Sequence, residues 1–230
     1  MTFSIIARCP KTGQFGGAIS SSSPAVAARC LHAKAGIGVA TSQNITDPYL
    51  ANILLDMLKY DLVPEQAISE LVKNTDFIEY RQLTALNSSD SPAAFSGTYS
   101  LGVHSECIGE HAVGAGNLLA HQDIPKAMVT AFEQASGSLA ERLLQALQAG
   151  LAAGGEAGPV HSAGLLVVDK LEWPVINLRV DWSDTPIEDL YQLWKIYEPQ
   201  VEDYVLRALN PASSPSYGVP GSETCSNGVT

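Results

Sequence analysis

Thr2 stands directly behind the initiating methionine. A methionine followed by a small residue is normally trimmed, which would leave Thr2 with its own amine beside its hydroxyl. Such a threonine is a nucleophile with a built-in general base, suited to attack on an amide carbonyl. The plainer reading of the same residue is that it opens the strand-like run Thr2-Phe3-Ser4-Ile5-Ile6-Ala7-Arg8. Lys34 is a cation able to lower the amine's pKa and steady an alkoxide, or else a strand-end surface charge. Asn117 and the backbone of Gly114-Ala115-Gly116 can supply donors to an oxyanion; a capped strand-end turn accounts for them equally well.

Substrate contacts have candidates too. Ser20 and Ser21 belong to the run Ser20-Ser21-Ser22-Ser23. These hydroxyls can line a pocket or replace a blocked Thr2, although a polar loop explains them as well. Gln43, with Asn44, ends a strand and can hydrogen-bond a polar substrate, or simply leads into a helix. Arg81 and Arg179 can each fork onto a carboxylate; Arg179 can instead pair with Asp181 on an exposed face.

Other chemistries find no pattern. His32, His104, His111, His121 and His161 lack metal-ligand spacing, so no metal is expected. His161 and Ser162 are adjacent, but neighbours along a strand point to opposite faces. No serine sits in a G-x-S-x-G elbow. The glycine pairs at Gly36 and Gly114 lack the rest of a dinucleotide fingerprint, so no cofactor is expected. A net charge of −11 over 230 residues argues against binding nucleic acid or an anionic membrane. Cys9, Cys30, Cys107 and Cys225 are scattered, with no C-x-x-C pair. With no apolar leader and no membrane-length apolar run, a cytoplasmic protein is expected.

The elements that must position these residues follow from pattern. Pro10-Lys11-Thr12-Gly13 reads as the turn of a hairpin between 2–8 and 15–21. The stretch 25–33 is ambiguous between strand and short helix, and 36–42 reads as a strand. Asp47 and Pro48 start one helix and Pro64 another. Strands return over 80–86 and 93–97, and 106–116 carries at least one more. Asp123 caps a third helix, and Ser138-Leu139-Ala140-Glu141 is a capping box for a fourth, stopped at Gly154-Gly155. Strands over 163–168 and 175–181 precede a last helix from Pro186 that ends near Leu209. Strand blocks separated by helix pairs do not alternate as a parallel sheet does. They predict an α+β fold, a four-layer α-β-β-α sandwich of two antiparallel sheets. The expected division is a domain over 1–209 and a Pro/Ser/Gly-rich tail over 210–230.

That order, beginning at Thr2, resembles the N-terminal nucleophile (Ntn) hydrolases, among them proteasome β-subunits. His111-Ala112-Val113-Gly114-Ala115-Gly116 looks like their Gly-Ser-Gly strand end, and His32-Ala33-Lys34-Ala35-Gly36-Ile37 like their lysine-bearing strand. Ser20 stands where those proteases carry an acid, and Ala115 where they carry a serine. More closely, the chain resembles domain-of-unknown-function family 1028. Thr2-Phe3-Ser4-Ile5, Thr12-Gly13, Arg81-Gln82, Gly116-Asn117, Gly154-Gly155, Ser162-Ala163 and Arg179-Val180-Asp181 carry the likeness, from Thr2 to about Leu209. The resemblance implies the fold. Together with Thr2, it makes the expected function hydrolysis of a small amide, cyclic amide or short peptide. The alternative is a non-catalytic binding or scaffold protein that keeps the sandwich. A homo-oligomer is expected, through the aromatic last helix and the tail.

Overall fold

The computed structural model describes residues 2–89 and 91–220. Met1, Cys225 and the last part of the expected tail lie outside the described residues. Two compact units divide the chain, Met1–Tyr191 and Gln192–Thr230. The compositional boundary expected after Leu209 falls inside the second.

The first unit opens with the hairpin of β1 (Thr2–Arg8) and β2 (Phe15–Ser21), paired antiparallel with Phe3 opposite Ser20. The ambiguous stretch resolves into a short helix, α1 (Val26–Cys30), followed at once by β3 (Leu31–Lys34). Gly36, at φ +69°, turns the chain into β4 (Gly38–Asn44). Asp47 caps α2 (Pro48–Lys59), its carboxylate accepting the Tyr49 amide, and α3 (Pro64–Asn74) also begins on proline.

Next come β5 (Arg81–Leu86) and β6 (Ala93–Ser96). The stretch 106–116, expected to carry at least one strand, holds β7 (Ser105–Ile108) and β8 (Ala112–Asn117), separated at Gly109-Glu110. Asp123 precedes α4 (Ile124–Gln134) without making a side-chain cap bond. Ser138 and Glu141 form both bonds of the capping box that starts α5 (Leu139–Ala152). Gly154 and Gly155 stop α5 at φ +123° and +58°, values that glycine adopts without strain. The strands β9 (Ser162–Val168) and β10 (Ile176–Val180) follow. In β10, Ile176 and Leu178 are buried while Asn177 and Arg179 are exposed, the period-two pattern of a half-covered strand. The helix α6 (Pro186–Tyr197) runs across the division of the two units, and α7 (Val201–Leu209) lies in the second. There Tyr197 stacks on Tyr204 at 5.5 Å.

Every strand pair is antiparallel. One sheet has six strands in the order β10-β9-β2-β1-β8-β7 and the other four in the order β3-β4-β5-β6. The sheets face each other, with α4 and α5 on the outer face of the larger and α2 and α3 on that of the smaller. The four-layer α-β-β-α sandwich expected from element order is the architecture of the molecule.

Successive side chains on a strand alternate between faces, so each of the central strands feeds two layers. On β1, Phe3 and Ile5 serve the helices, and Ile6 joins Ile19, Val39, Leu86 and Val113 in an apolar cluster between the sheets. A second cluster joins Leu54, Leu58, Ile68 and Leu71 to Leu83 and Ala85 on the outer face of the smaller sheet. At Gly114 on β8, a Cβ would lie 2.8 Å from the carbonyl oxygen of Pro125, so α4 rests on bare backbone there. Gly114→Ala is expected to force the strand and the helix apart and to cost about 1–3 kcal/mol, read as a lowered midpoint of urea unfolding.

Candidate functional site

The layer between the sheets changes character along its length. Its apolar cluster occupies one end. At the other, Thr2, Ser4, Ser21, Thr41, Gln43, Gln82, Thr84 and Asn117 are all buried, none more than 5% exposed. Strand register explains the switch. Thr2 and Ser4 share a face of β1 with Ile6, and Asn117 lies directly opposite Thr2 on β8. Gln43 and Thr41 share a face of β4 with Val39; Gln82, Thr84 and Leu86 lie opposite them on β5. Each strand thus passes from polar to apolar at the same depth in the sandwich.

These groups form one hydrogen-bonded chain across the two sheets. The Ser4 hydroxyl donates to Oε1 of Gln43 at 2.8 Å, and Nε2 of Gln43 donates to Oε1 of Gln82 at 2.7 Å. Nδ2 of Asn117 donates to the same Gln82 oxygen at 3.1 Å. Nε2 of Gln82 donates to the Gly116 carbonyl at 3.0 Å and to the Ser96 hydroxyl at 2.9 Å. Ser96 in turn donates to the exposed Glu106 carboxylate at 2.6 Å, carrying the chain to the surface. Beside it, Thr41 and Thr84 share a hydroxyl–hydroxyl bond of 2.6 Å. One buried atom in this network has no partner, Oδ1 of Asn117.

Two further features close the polar end. Segment 97–104 spans both sheets there: the Leu101 amide donates to Oδ1 of Asn44, and the Leu101 carbonyl accepts from the Leu118 amide. Glu156 makes an isolated bridge with Leu119, two residues beyond Asn117. Its carboxylate accepts the amide of Ser22, one residue beyond β2, at 3.1 and 3.3 Å. Since β1 lies between β2 and β8, Glu156 stands at the head of the β1 row, ahead of Thr2. Burial pushes its carboxyl up to about 7, with the Ser22 hydrogen bonds opposing the shift.

The residues singled out from sequence are only partly assembled. Thr2 and Asn117 share the polar end. The Thr2 hydroxyl lies 3.4 Å from that of Ser21, which also accepts the Ser23 amide at 3.0 Å. Gln43 is there, fully buried and committed at both ends of its amide to protein partners. Ser20 alternates to the other face and donates to the Ser162 carbonyl at 3.0 Å. Thr2 itself is 5% exposed.

Lys34 is elsewhere. It pairs with Gly38 at the start of β4, five residues from Gln43, which is about 17 Å along a strand. Its ammonium bonds the Asp56 carboxylate on α2 at 2.5 Å. β3 is an edge strand, and its last residue lies at the end of the sheet away from Gln43. Arg81 alternates away from the polar end, and its guanidinium donates to the Ile45 carbonyl. Arg179 forks onto Asp181 at 3.0 and 3.1 Å on an exposed face. Among the described residues, no group of three or more His, Cys, Asp or Glu side chains is placed to hold a metal ion. No described helix is long and apolar enough to cross a membrane. A cleft of about 720 Å³ opens at the edge strands between Ala93 and Ile108 and is lined by none of the polar-end residues.

Ser4, Gln82 and Glu156 were not legible as site residues. The signal for the first two is a polar residue two positions from another in a strand that is otherwise core: Thr2 with Ser4, Thr41 with Gln43, Gln82 with Thr84. Glu156 gives no such signal, since a turn after α5 brings it to the site.

The molecule is an α-β-β-α sandwich with a buried polar end between its sheets and a threonine at the head of its central hairpin. The chain belongs to the Family of unknown function (DUF1028), whose model matches residues 2–190. A crystal structure of protein SPO2555 from Silicibacter pomeroyi, of the same family, is similar at 30% identity with a TM-score of 0.80, covering 85% of this chain and 88% of that one. Anbu (ancestral beta-subunit) from Yersinia bercovieri aligns at 10% identity with a TM-score of 0.40, covering 88% and 96% of the two chains. Anbu from Hyphomicrobium sp. strain MC1 aligns at 9% identity with a TM-score of 0.42, covering 87% and 96%. Likeness of that degree carries no statement about chemistry. No curated protein matches the chain.

Two stability measurements test the site's electrostatics. Gln82→Glu places an acceptor against the Gly116 carbonyl, and is expected to cost about 1–3 kcal/mol at pH 8 and less at pH 5, where a protonated carboxyl can still donate. For Glu156, the folded carboxyl binds a proton between its ordinary value of 4.5 and about 7, where the unfolded one does not. Its contribution to stability therefore falls as pH rises through that window, by no more than about 3 kcal/mol. Urea unfolding at pH 5 and pH 8 should show this slope in the native protein and lose it in Glu156→Gln.

Proposed function

We propose that the polar end is an amidohydrolase centre of the N-terminal nucleophile kind, with Thr2 as nucleophile. The observation that carries this reading is the position of Thr2. Its hydroxyl lies at the head of β1 inside a buried polar layer, opposite Asn117, beside Ser21, with the Glu156 carboxylate heading the same row. With residue 2 as chain terminus, its amine takes the hydroxyl proton as Oγ1 bonds to the amide carbonyl carbon. The C–N bond then breaks, the departing nitrogen takes that proton, and the acyl group is left as an ester on Thr2. Water hydrolyses the ester and restores the hydroxyl. In this scheme Glu156 is the partner of the Thr2 ammonium and, titrating near neutrality, a store for its proton. Lys34 is given no part.

The substrate assigned is a small amide, cyclic amide or short peptide, acted on in the cytoplasm. Self-association belongs to the same proposal, with exposed Tyr204 and Tyr217 of the second unit as the surface offered. A second reading, a non-catalytic binding protein, is favoured by the burial of Thr2 and by the pairing of Lys34 with Asp56.

Intact mass and activity separate the two. The hydrolase reading expects the native protein to lack one methionine residue. It also expects hydrolysis within a panel of small amides and a loss of about a thousandfold or more in Thr2→Ala. Retained methionine in active protein, or turnover unchanged in Thr2→Ala, would remove Thr2 as nucleophile. Binding without turnover would leave the second reading.

A further inference from the structure

The amide chain between the sheets has a direction, and one atom sets it. The Gly116 carbonyl can only accept, and so can that of Ser105, 3.4 Å from the same nitrogen. The Gln82 side chain must therefore present Nε2 to them, and its Oε1 must face the other way. That oxygen then requires donors, which fixes Nε2 of Gln43 and Nδ2 of Asn117 toward it. Reversing Asn117 would set oxygen against oxygen at 3.1 Å. Asn117 is left with Oδ1 as its free group, fully buried, without a partner, on the face that Thr2 shares. The sequence reading of Asn117 as a donor to a carbonyl is thus inverted: the site offers a lone pair, not an N–H.

We propose that the polar end selects a ligand by an N–H group received at Oδ1 of Asn117, and that its ligands are primary amides or primary ammonium compounds. A buried acceptor without a partner is costly, and a ligand N–H relieves that cost where an ester oxygen of the same shape meets it lone pair to lone pair. Sites that leave a buried polar group unpaired with the wrong ligand discriminate strongly against it. The inference rests on the polar end being a ligand site, and holds whether or not Thr2 turns the ligand over.

The test is a titration of the unaltered protein with acetamide, methylammonium and methyl acetate, followed in ¹H–¹⁵N spectra through the side-chain amides of Asn117 and Gln82. At least one of the two N–H probes is expected to shift both signals and to bind about tenfold or more tightly than methyl acetate. A response to acetamide alone assigns the amide, and to methylammonium alone the ammonium. Equal affinity for methyl acetate, or spectra in which Asn117 and Gln82 do not respond, would overturn the proposal. Asn117→Leu should abolish the preference; the comparison of matched probes on the native chain stands even if that variant does not fold. The preference retained in Thr2→Ala, with no amide hydrolysed by the native protein, would sink the hydrolase reading and keep this one. Amide hydrolysis with no preference for an N–H would do the reverse.

Discussion

One hydrogen bond orders the interior of this protein: Nε2 of Gln82 to the carbonyl of Gly116, at 3.0 Å. It ties the smaller sheet to the larger at a depth where both residues are buried. Because a carbonyl has no alternative role, the bond dictates which end of each neighbouring amide faces which partner. Gln43, Ser4 and Asn117 take their orientations from it in turn. A glutamine at the centre of a sheet is expensive unless both ends are satisfied, and Gln82 is satisfied at both. The one group left over, Oδ1 of Asn117, lies beside Thr2 rather than at random.

The sandwich makes such a chain possible by dividing its inner layer. Ile6, Ile19, Val39, Leu86 and Val113 fill one end, where burial of apolar surface stabilises the sheet-to-sheet contact. The polar end adds little of that kind, and its hydrogen bonds replace ones the groups would make to water. A protein selected for stability alone would continue the apolar cluster through Thr41, Gln43, Gln82 and Thr84. That it does not is the physical argument for a site. The Glu156 carboxylate, buried and raised to about 7, belongs to the same pattern of charge and polarity kept where packing disfavours them.

The architecture was legible because its signals are local. Proline at positions 48 and 64, the Ser138–Glu141 box, the Gly154-Gly155 stop and the hairpin turn before Phe15 mark the elements, and their order excludes a parallel sheet. Asp123 misled as a cap because its backbone is already helical, at φ −82° and ψ −4°, so its side chain does not turn back on the first turn. The number of strands over 106–116 stays open in the sequence because Gly109-Glu110 gives a weaker signal than a proline turn. Thr2, Ser21, Gln43 and Asn117, picked out at or near strand ends, lie together at the buried polar end. Lys34, a matching residue type in a matching motif, sits opposite Gly38 at the far end of β4, bonded to Asp56.

Taken alone, the chain's order of residues determined the strand and helix blocks, the alternation within each strand, and a threonine at the head of the first. Those properties arise from neighbours a few residues apart, whose periodicity and turn chemistry are written in series. Tertiary structure decided the rest: that Ser4 meets Gln43 and that Glu156 reaches Ser22 across 134 positions. It also decided that Asn117 gives its nitrogen to Gln82 and leaves its oxygen over. Hydrogen-bond direction is a property of partners, and the partner that sets it here, the carbonyl of Gly116, is a backbone group that no residue type reveals.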